Sequence, residues 1–377
     1  MIQFELETDR KLFQDAMAFA QSQVRRLTEA HPDFYPMHTE AGHWHHDQPV
    51  WTQWCEGFLP GMMWTFQRYI GAGSPEADRW MDLAIRYSKP LQERRFDRDT
   101  HDLGFLFLPT YLRWYSVTRQ PELNQILVQA GQMMADRFQA SGGYIRSFAA
   151  ENSIFIDTVM NVGLVFYAAR ETGDRELRDV ALRHALTTRK VLVRGDGSVA
   201  HEGIFDLESG EFLHQATQQG VRADSCWARG LTWALYGFTI CYEYSHDSRF
   251  LETAQACADY YIVNTPSDGV PPWDFNAPPE TRRMLDSSAA AIAASGILRI
   301  SRLVSDPIKA HYYRSTAVRI LRTLSEKYLA RGTNGWEGVL KGGVYHLHKG
   351  LGVNESVIWG DYYFVEAVEL AMRQMRS

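Results

Sequence analysis

Two carboxylates carry the strongest chemical signal in this chain. Asp157 lies in Ser153-Ile-Phe-Ile-Asp157-Thr-Val-Met-Asn161-Val-Gly, a stretch with few other polar groups. An ionised carboxylate there is costly without a partner, and loss of water raises its pKa. A carboxyl still partly protonated near neutral pH is what a general acid requires. Asn161, one helical turn further on and on the same face, is placed to orient it. The competing role is a first-turn carboxylate accepting from free helix N–H groups, and the residues alone leave both open. Asp102, in Thr100-His101-Asp102-Leu103-Gly104-Phe105, poses the same choice, and an Asp ahead of an apolar helix is ordinarily an N-cap. If the two aspartates face one another across a cleft, each changes the other's proton affinity, and the pair suits acid–base chemistry.

A second group of residues has the chemistry of sugar recognition. Trp54, Trp227 and Trp233 offer indole faces to the C–H faces of a pyranose, and Arg229 suits a carboxylate. Arg229 and Trp233 lie four apart, on one helical face; each tryptophan could equally fill a wide core. His201, His214 and Gln215 sit on a Gly-rich connection, 192–222, of the kind that carries functional groups. Residues 332–358 form a similar connection. The cluster His38, His43, His45, His46 and Asp47 raises a metal alternative, but its spacing matches neither HExxH nor a zinc finger, and no metal or cofactor is expected. GxSxG, P-loop and GxGxxG motifs are absent.

Positioning such residues requires a large scaffold. The chain has 377 residues, 45% of them hydrophobic and 22% charged, which excludes a disordered chain. Net charge is −6 with no basic cluster, so nucleic acid is not an expected partner. No apolar run of 18 residues suggests a membrane span, and the N-terminus has no secretory pattern. Four scattered cysteines read as reduced thiols, and the cytoplasm is the expected compartment.

Periodicity supplies the architecture. Five turn-plus-helix phrases recur, among them TGDRELRDVALRHA and SHDSRFLETAQACA, each with a polar first turn and one apolar stripe. Before each lies a helix apolar nearly all round, such as LGFLFLPTYLRWYSV or WARGLTWALYGFTICYEY, and a sixth, DYYFVEAVELAM, closes the chain. Helices apolar all round are buried and single-striped ones lie outside them. The N-terminal helix near residues 8–29 completes the sixth pair. The expectation is one all-α domain spanning 1–377, an (α/α)6 barrel of six inner and six outer helices with short strand-like loops at the mouth. The inner N-terminal ends should share that mouth, with Trp54, Asp102, Asp157 and Trp227 around it.

At this point a resemblance can be stated. His101-Asp102-Leu103-Gly104-Phe105, Ile156-Asp157 with Asn161, His214-Gln215, Trp227-Ala-Arg229-Gly230-Leu-Thr-Trp233, Trp273-Asp274-Phe275, Asp286-Ser287-Ser288 and Trp359-Gly360-Asp361 occur in an order that resembles the unsaturated glucuronyl hydrolases, glycoside hydrolase family 88. The resemblance implies an (α/α)6 barrel and hydrolysis of oligosaccharides ending in a 4,5-unsaturated uronic acid, the products of polysaccharide lyases, without metal or cofactor. It implies that Asp157 is the acid and base, that Asp102 is a second essential aspartate, and that Trp54, His101, Asn161, His201, His214, Gln215, Trp227, Arg229 and Trp233 line or adjoin the substrate. The chain departs from the family pattern at Thr100, at Leu59-Pro60 and at Ala216. Two other (α/α)6 activities, an unsaturated rhamnogalacturonyl hydrolase and a sugar 2-epimerase, and a non-catalytic sugar-binding barrel stay open on the residues alone. The oligomeric state is not legible.

Overall fold

The computed structural model describes residues 2–46 and 53–375, with side chains described from residue 7 onward. Fourteen α-helices follow in chain order: α1 (Ile2–Ala30), α2 (Phe58–Ile70), α3 (Pro75–Ser88), α4 (Leu103–Phe107), α5 (Tyr111–Thr118), α6 (Pro121–Ala135), α7 (Thr158–Asn161), α8 (Gly163–Thr172), α9 (Arg175–Leu192), α10 (Ala228–Ser245), α11 (Ser248–Asn264), α12 (Ser287–Leu303), α13 (Pro307–Thr323) and α14 (Ile358–Gln374). The inner ring is α2, α4–α5, α7–α8, α10, α12 and α14. Outside it lie α3, α6, α9, α11, α13 and α1.

Turn chemistry starts most of the outer helices. Ser74, Asp174, Asp247 and Asp306 each cap one by accepting backbone N–H groups, and Pro stands at the start of α3, α6 and α13. The inner helices are buried almost all round; in α10, the twelve consecutive positions Ala228 to Thr239 are buried, as is Cys241. The ring closes where α14 packs on α2, with the Phe58 and Tyr362 rings 5.2 Å apart. Helix α1 seals the outside of this seam through an Arg322–Asp9 ion pair at 2.8 Å and an Arg10 contact to the Met375 carbonyl at 3.3 Å.

Two inner helices are broken where continuous ones were expected. Pro109 has no N–H and its ring crowds the preceding turn, so α4 stops and α5 restarts beyond it. Between α7 and α8, Asn161 turns its amide onto the Asp157 carbonyl at 3.1 Å, competing with the helix ladder. Short antiparallel strands decorate the loops. β1 (Thr39–Glu40) pairs with β2 (His43–Trp44), β3 (Phe138–Gln139) with β4 (Tyr144–Ile145), and β8 (Gly343–His346) with β9 (Leu351–Glu355). A three-stranded sheet joins β5 (Ser153–Phe155), β6 (Glu202–Phe205) and β7 (Phe212–Ala216), and β5 delivers the chain to Asp157.

Candidate active site

A cavity of about 510 Å³ opens where the inner helices begin, and Asp102, Asp157, Trp54, His101 and Arg229 all line it. Neither aspartate caps its helix through its side chain, so the N-cap role is excluded for both.

Each carboxylate instead faces a histidine whose tautomer is set from behind. The Phe148 N–H donates to His101 Nδ1 at 3.1 Å, which leaves the hydrogen on Nε2, 3.4 Å from Asp102 Oδ1. The Gln218 and Gln219 N–H groups donate to His201 Nδ1 at 3.0 and 3.3 Å, which leaves the hydrogen on Nε2, 3.6 Å from Asp157 Oδ2. Asp102 is held further by the Thr100 hydroxyl at 3.1 Å and by Asn161 Nδ2 at 3.3 Å. Asn161 therefore orients the side chain of Asp102 and only the main chain of Asp157, which differs from its expected role. Its own Oδ1 accepts the Phe105 N–H at 2.7 Å, tying α4 to α7.

The two aspartates differ in proton affinity, and in the order opposite to expectation. Burial raises the pKa of Asp157, but the His201 Nε2–H 3.6 Å away, His101 and Arg229 outweigh it, and the net shift is downward. Burial and the neighbouring charge of Asp157 push Asp102 up to about 7. Asp102 therefore holds a proton to higher pH than Asp157 does. Burial also drives His101 down to about 3, so it stays a neutral donor. Asp157 Oδ2 is buried with no hydrogen-bond partner at normal distance.

Arg229 is 1% exposed, and most of its fork is committed. It donates to the Val344 and Tyr345 carbonyls and to Gln219 Oε1 at 2.6 Å, and lies 3.5 Å from Asp286. It braces β8 against α10 while adding positive charge to the cavity wall. Trp227 stands behind the wall, its ring 4.8 Å from His201 and 4.4 Å from the Arg229 guanidinium. Trp54 lines the cavity and packs 4.9 Å from Trp359.

Of the expected residues, Asn161, His201 and Trp227 stand behind the side chains that line the cavity, and Trp233, His214 and Gln215 lie away from it. Trp233 is fully buried between Phe105 and Tyr363, one helical turn beyond Arg229 along the same face of α10. His214 is exposed on β7 opposite Ile204. Gln215, next along the strand, holds the Val191 carbonyl at 2.9 Å and accepts from Arg194. The residues that do reach the cavity from this connection are Gln218 and Gln219, four places on. They lie past the end of β7, in a turn folded round the His201 ring. Tyr345, His346, His348 and Lys349 enter from the 332–358 connection; that connection was legible as functional, but these side chains were not singled out. The histidine cluster disperses: His38 is buried, His43 pairs with Glu337 at 3.2 Å, His45 with Glu40 at 3.5 Å, and His46 stacks on Phe34. Asp47 lies outside the described residues. Among the described residues no group of three His, Cys, Asp or Glu side chains could hold a metal ion.

A closed ring of paired helices with an acidic pair at its mouth defines an (α/α)6 glycosidase. The model of Glycosyl Hydrolase Family 88 matches residues 18–271, and the chain belongs to that family. It is 34% identical over 328 residues to an unsaturated glucuronyl hydrolase of Bacillus sp. (strain GL1), covering 84% of this chain and 85% of that one. An unsaturated chondroitin disaccharide hydrolase of Streptococcus pyogenes serotype M1 is 31% identical over 325 residues, 84% of this chain and 80% of the relative. Among solved structures, an unsaturated glucuronyl hydrolase specific for heparin superposes with a TM-score of 0.89 at 30% identity, covering 97% of this chain and 98% of the other. Among the described residues no helix is long and apolar enough to cross a membrane.

Proposed function

We propose that this chain, acting as one catalytic unit, removes a 4,5-unsaturated uronic acid from the non-reducing end of oligosaccharides left by polysaccharide lyases. The observation that carries the reading is that Asp102 and Asp157 line one cavity at the mouth of a barrel whose relatives are unsaturated glucuronyl hydrolases. The substrate ring is a vinyl ether conjugated to a carboxylate. Protonation at C4 gives an oxocarbenium-like ion at C5, water adds at C5, and the hemiketal collapses to release the rest of the chain.

Asp157 performs both proton transfers. His201 Nε2–H, 3.6 Å from Asp157 Oδ2, orients the carboxylate. A bound uronate brings a further negative charge, which raises the proton affinity of the pair and draws the proton from Asp102 toward Asp157. Once the proton has passed to C4, the Asp157 carboxylate takes one from the attacking water. Arg229 and Lys349 on the cavity wall favour an anionic ring, and Trp54 supplies an apolar face. Four buried free thiols support the cytoplasmic reading.

The test is a screen of lyase-generated disaccharides, followed by loss of the ultraviolet absorbance of the conjugated double bond. Turnover in heavy water should place deuterium at C4, and ¹⁸O-water should label C5. Label at the anomeric carbon C1 instead would identify ordinary glycoside hydrolysis.

A further inference from the structure

Arg137 is a buried cation without a counter-ion. It follows α6 directly, is 4% exposed, and forms no ion pair with a carboxylate among the described residues. All three guanidinium nitrogens donate to main-chain carbonyls: Nε to Arg146 at 3.2 Å, Nη2 to Ser147 at 2.6 Å, and Nη1 to Arg98. Burying a charge is expensive unless it is paired, and three carbonyl dipoles solvate the guanidinium without neutralising it.

Those three carbonyls belong to the two segments that build the Asp102 side of the cavity. Arg98 leads through Thr100 to His101 and Asp102. Ser147 leads to Phe148, whose N–H sets the His101 tautomer. We propose that Arg137 is a positioning residue for the reaction: it clamps these two segments together and supplies the fixed positive charge that offsets the second negative charge formed when the aspartate pair gives up its proton. The inference rests on the reading of Asp102 and Asp157 as the reacting pair.

The surrounding charges leave Arg137 in this role. Burial and then Arg146 lower its own pKa to about 10, so it remains a cation at neutral pH. Asp102, Asp97 and Asp99 are the anions that act on it. Asp97 is paired with Arg94 at 2.9 Å and Asp99 is exposed, so water and a partner screen both. Asp102 faces Asp157, His101, Thr100, Asn161 and Arg137. His101 is neutral, and Arg229 is matched by Asp286. Arg229 acts on Asp157, and Arg137 is the cation that acts on Asp102.

The experiment compares Arg137→Met and Arg137→Lys with the wild type, reading kcat/KM against pH and, without substrate, the carboxyl titration of ¹³C-labelled aspartate by NMR. With the charge removed, the Met variant should hold the Asp102 proton to higher pH, moving the titration and the alkaline limb upward by about one pH unit. The Lys variant keeps the charge but cannot span three carbonyls, so its titration should stay near the wild-type value while KM rises. An unmoved titration in a folded Met variant would overturn the inference, as would a Lys variant shifted as far as Met. If the Met variant does not fold, Arg137→Gln, which also removes the charge, takes its place and is read the same way. If no unsaturated disaccharide is turned over, the function proposed above fails, and the NMR titration still settles the role of Arg137.

Discussion

Asp157 and Asp102 are both first-turn aspartates of broken inner helices, yet their neighbours assign them different proton affinities. His201 and Arg229 stabilise the Asp157 anion, whereas Asp102 is buried beside that anion and held by the hydroxyl of Thr100 and the amide of Asn161. Asp157→Asn keeps the size of the side chain and an oxygen facing His201 but cannot move a proton. It should fold and bind normally while turnover falls by about 10²–10⁴-fold; near-normal turnover would place the acid elsewhere. The pH profile follows from Asp102. With a folded value of about 7, above the ordinary carboxylate range, Asp102 is protonated below that pH and ionised above it. The pair therefore holds its proton on the acid side, and kcat/KM should fall as pH rises through about 7. Steady-state rates across the neutral range check this, and a profile still rising above pH 8 would remove the Asp102 proton from the mechanism.

At the scale of elements, the site depends on how closely α4 approaches α7. Gly104 permits that approach, because a Cβ there would lie 2.4 Å from the Asn161 Cα and 2.7 Å from its carbonyl oxygen. The first turn of α4 can then donate the Phe105 N–H to Asn161 Oδ1, which leaves the Asn161 amide free for Asp102. Gly104→Ala should push the helices apart, cost about 1–3 kcal/mol in chemical denaturation, and lower kcat by displacing Asp102. A variant of wild-type stability and turnover would show that the contact yields without consequence. The turn after β7 is a second such element. His201 Nδ1 gathers two N–H groups, and His348 meets the Gly220 carbonyl at 2.8 Å. That wrapping brings Gln218 and Gln219 to the cavity while His214 stays in water.

Across the whole molecule, the inner ring carries a buried ionic centre on Glu366, part-way along α14. Arg113 at 3.1 Å and Arg299 at 3.6 Å surround this 1%-exposed carboxylate, with hydroxyl donors Tyr236 and Ser295 at 2.7 Å each. The participating groups come from four inner elements, α5, α10, α12 and α14, so the cluster ties the ring across its axis. Glu366→Gln would leave two arginines facing a neutral amide and should cost about 3–5 kcal/mol of folding stability. Glu366 does not line the reaction cavity, so the folded variant should retain kcat within about threefold, a small change on the scale of acid–base catalysis. Denaturant melts and steady-state rates at low temperature separate the two effects, and loss of kcat without loss of stability would contradict this division.

The amino-acid order alone determined the barrel, because burying a helix all round or along one stripe is written directly into its apolar periodicity. Alternation of the two kinds, with the first helix completing the last pair, specified six inner and six outer positions. It also singled out Asp102, Asp157 and Arg229, since charged groups beside apolar runs are costly and therefore conspicuous. That Trp233 lies in the core, and which residues of the 192–222 connection reach the cavity, were decided only by packing. A loop has no period, and a turn that wraps an imidazole leaves no spacing signal. Proton ownership was also tertiary. Burial predicts a raised carboxyl at either aspartate, but His201 and Arg229, 44 and 72 residues beyond Asp157 in the chain, reverse the sign at Asp157 alone, because electrostatic potential depends on distance in space and not on distance in sequence.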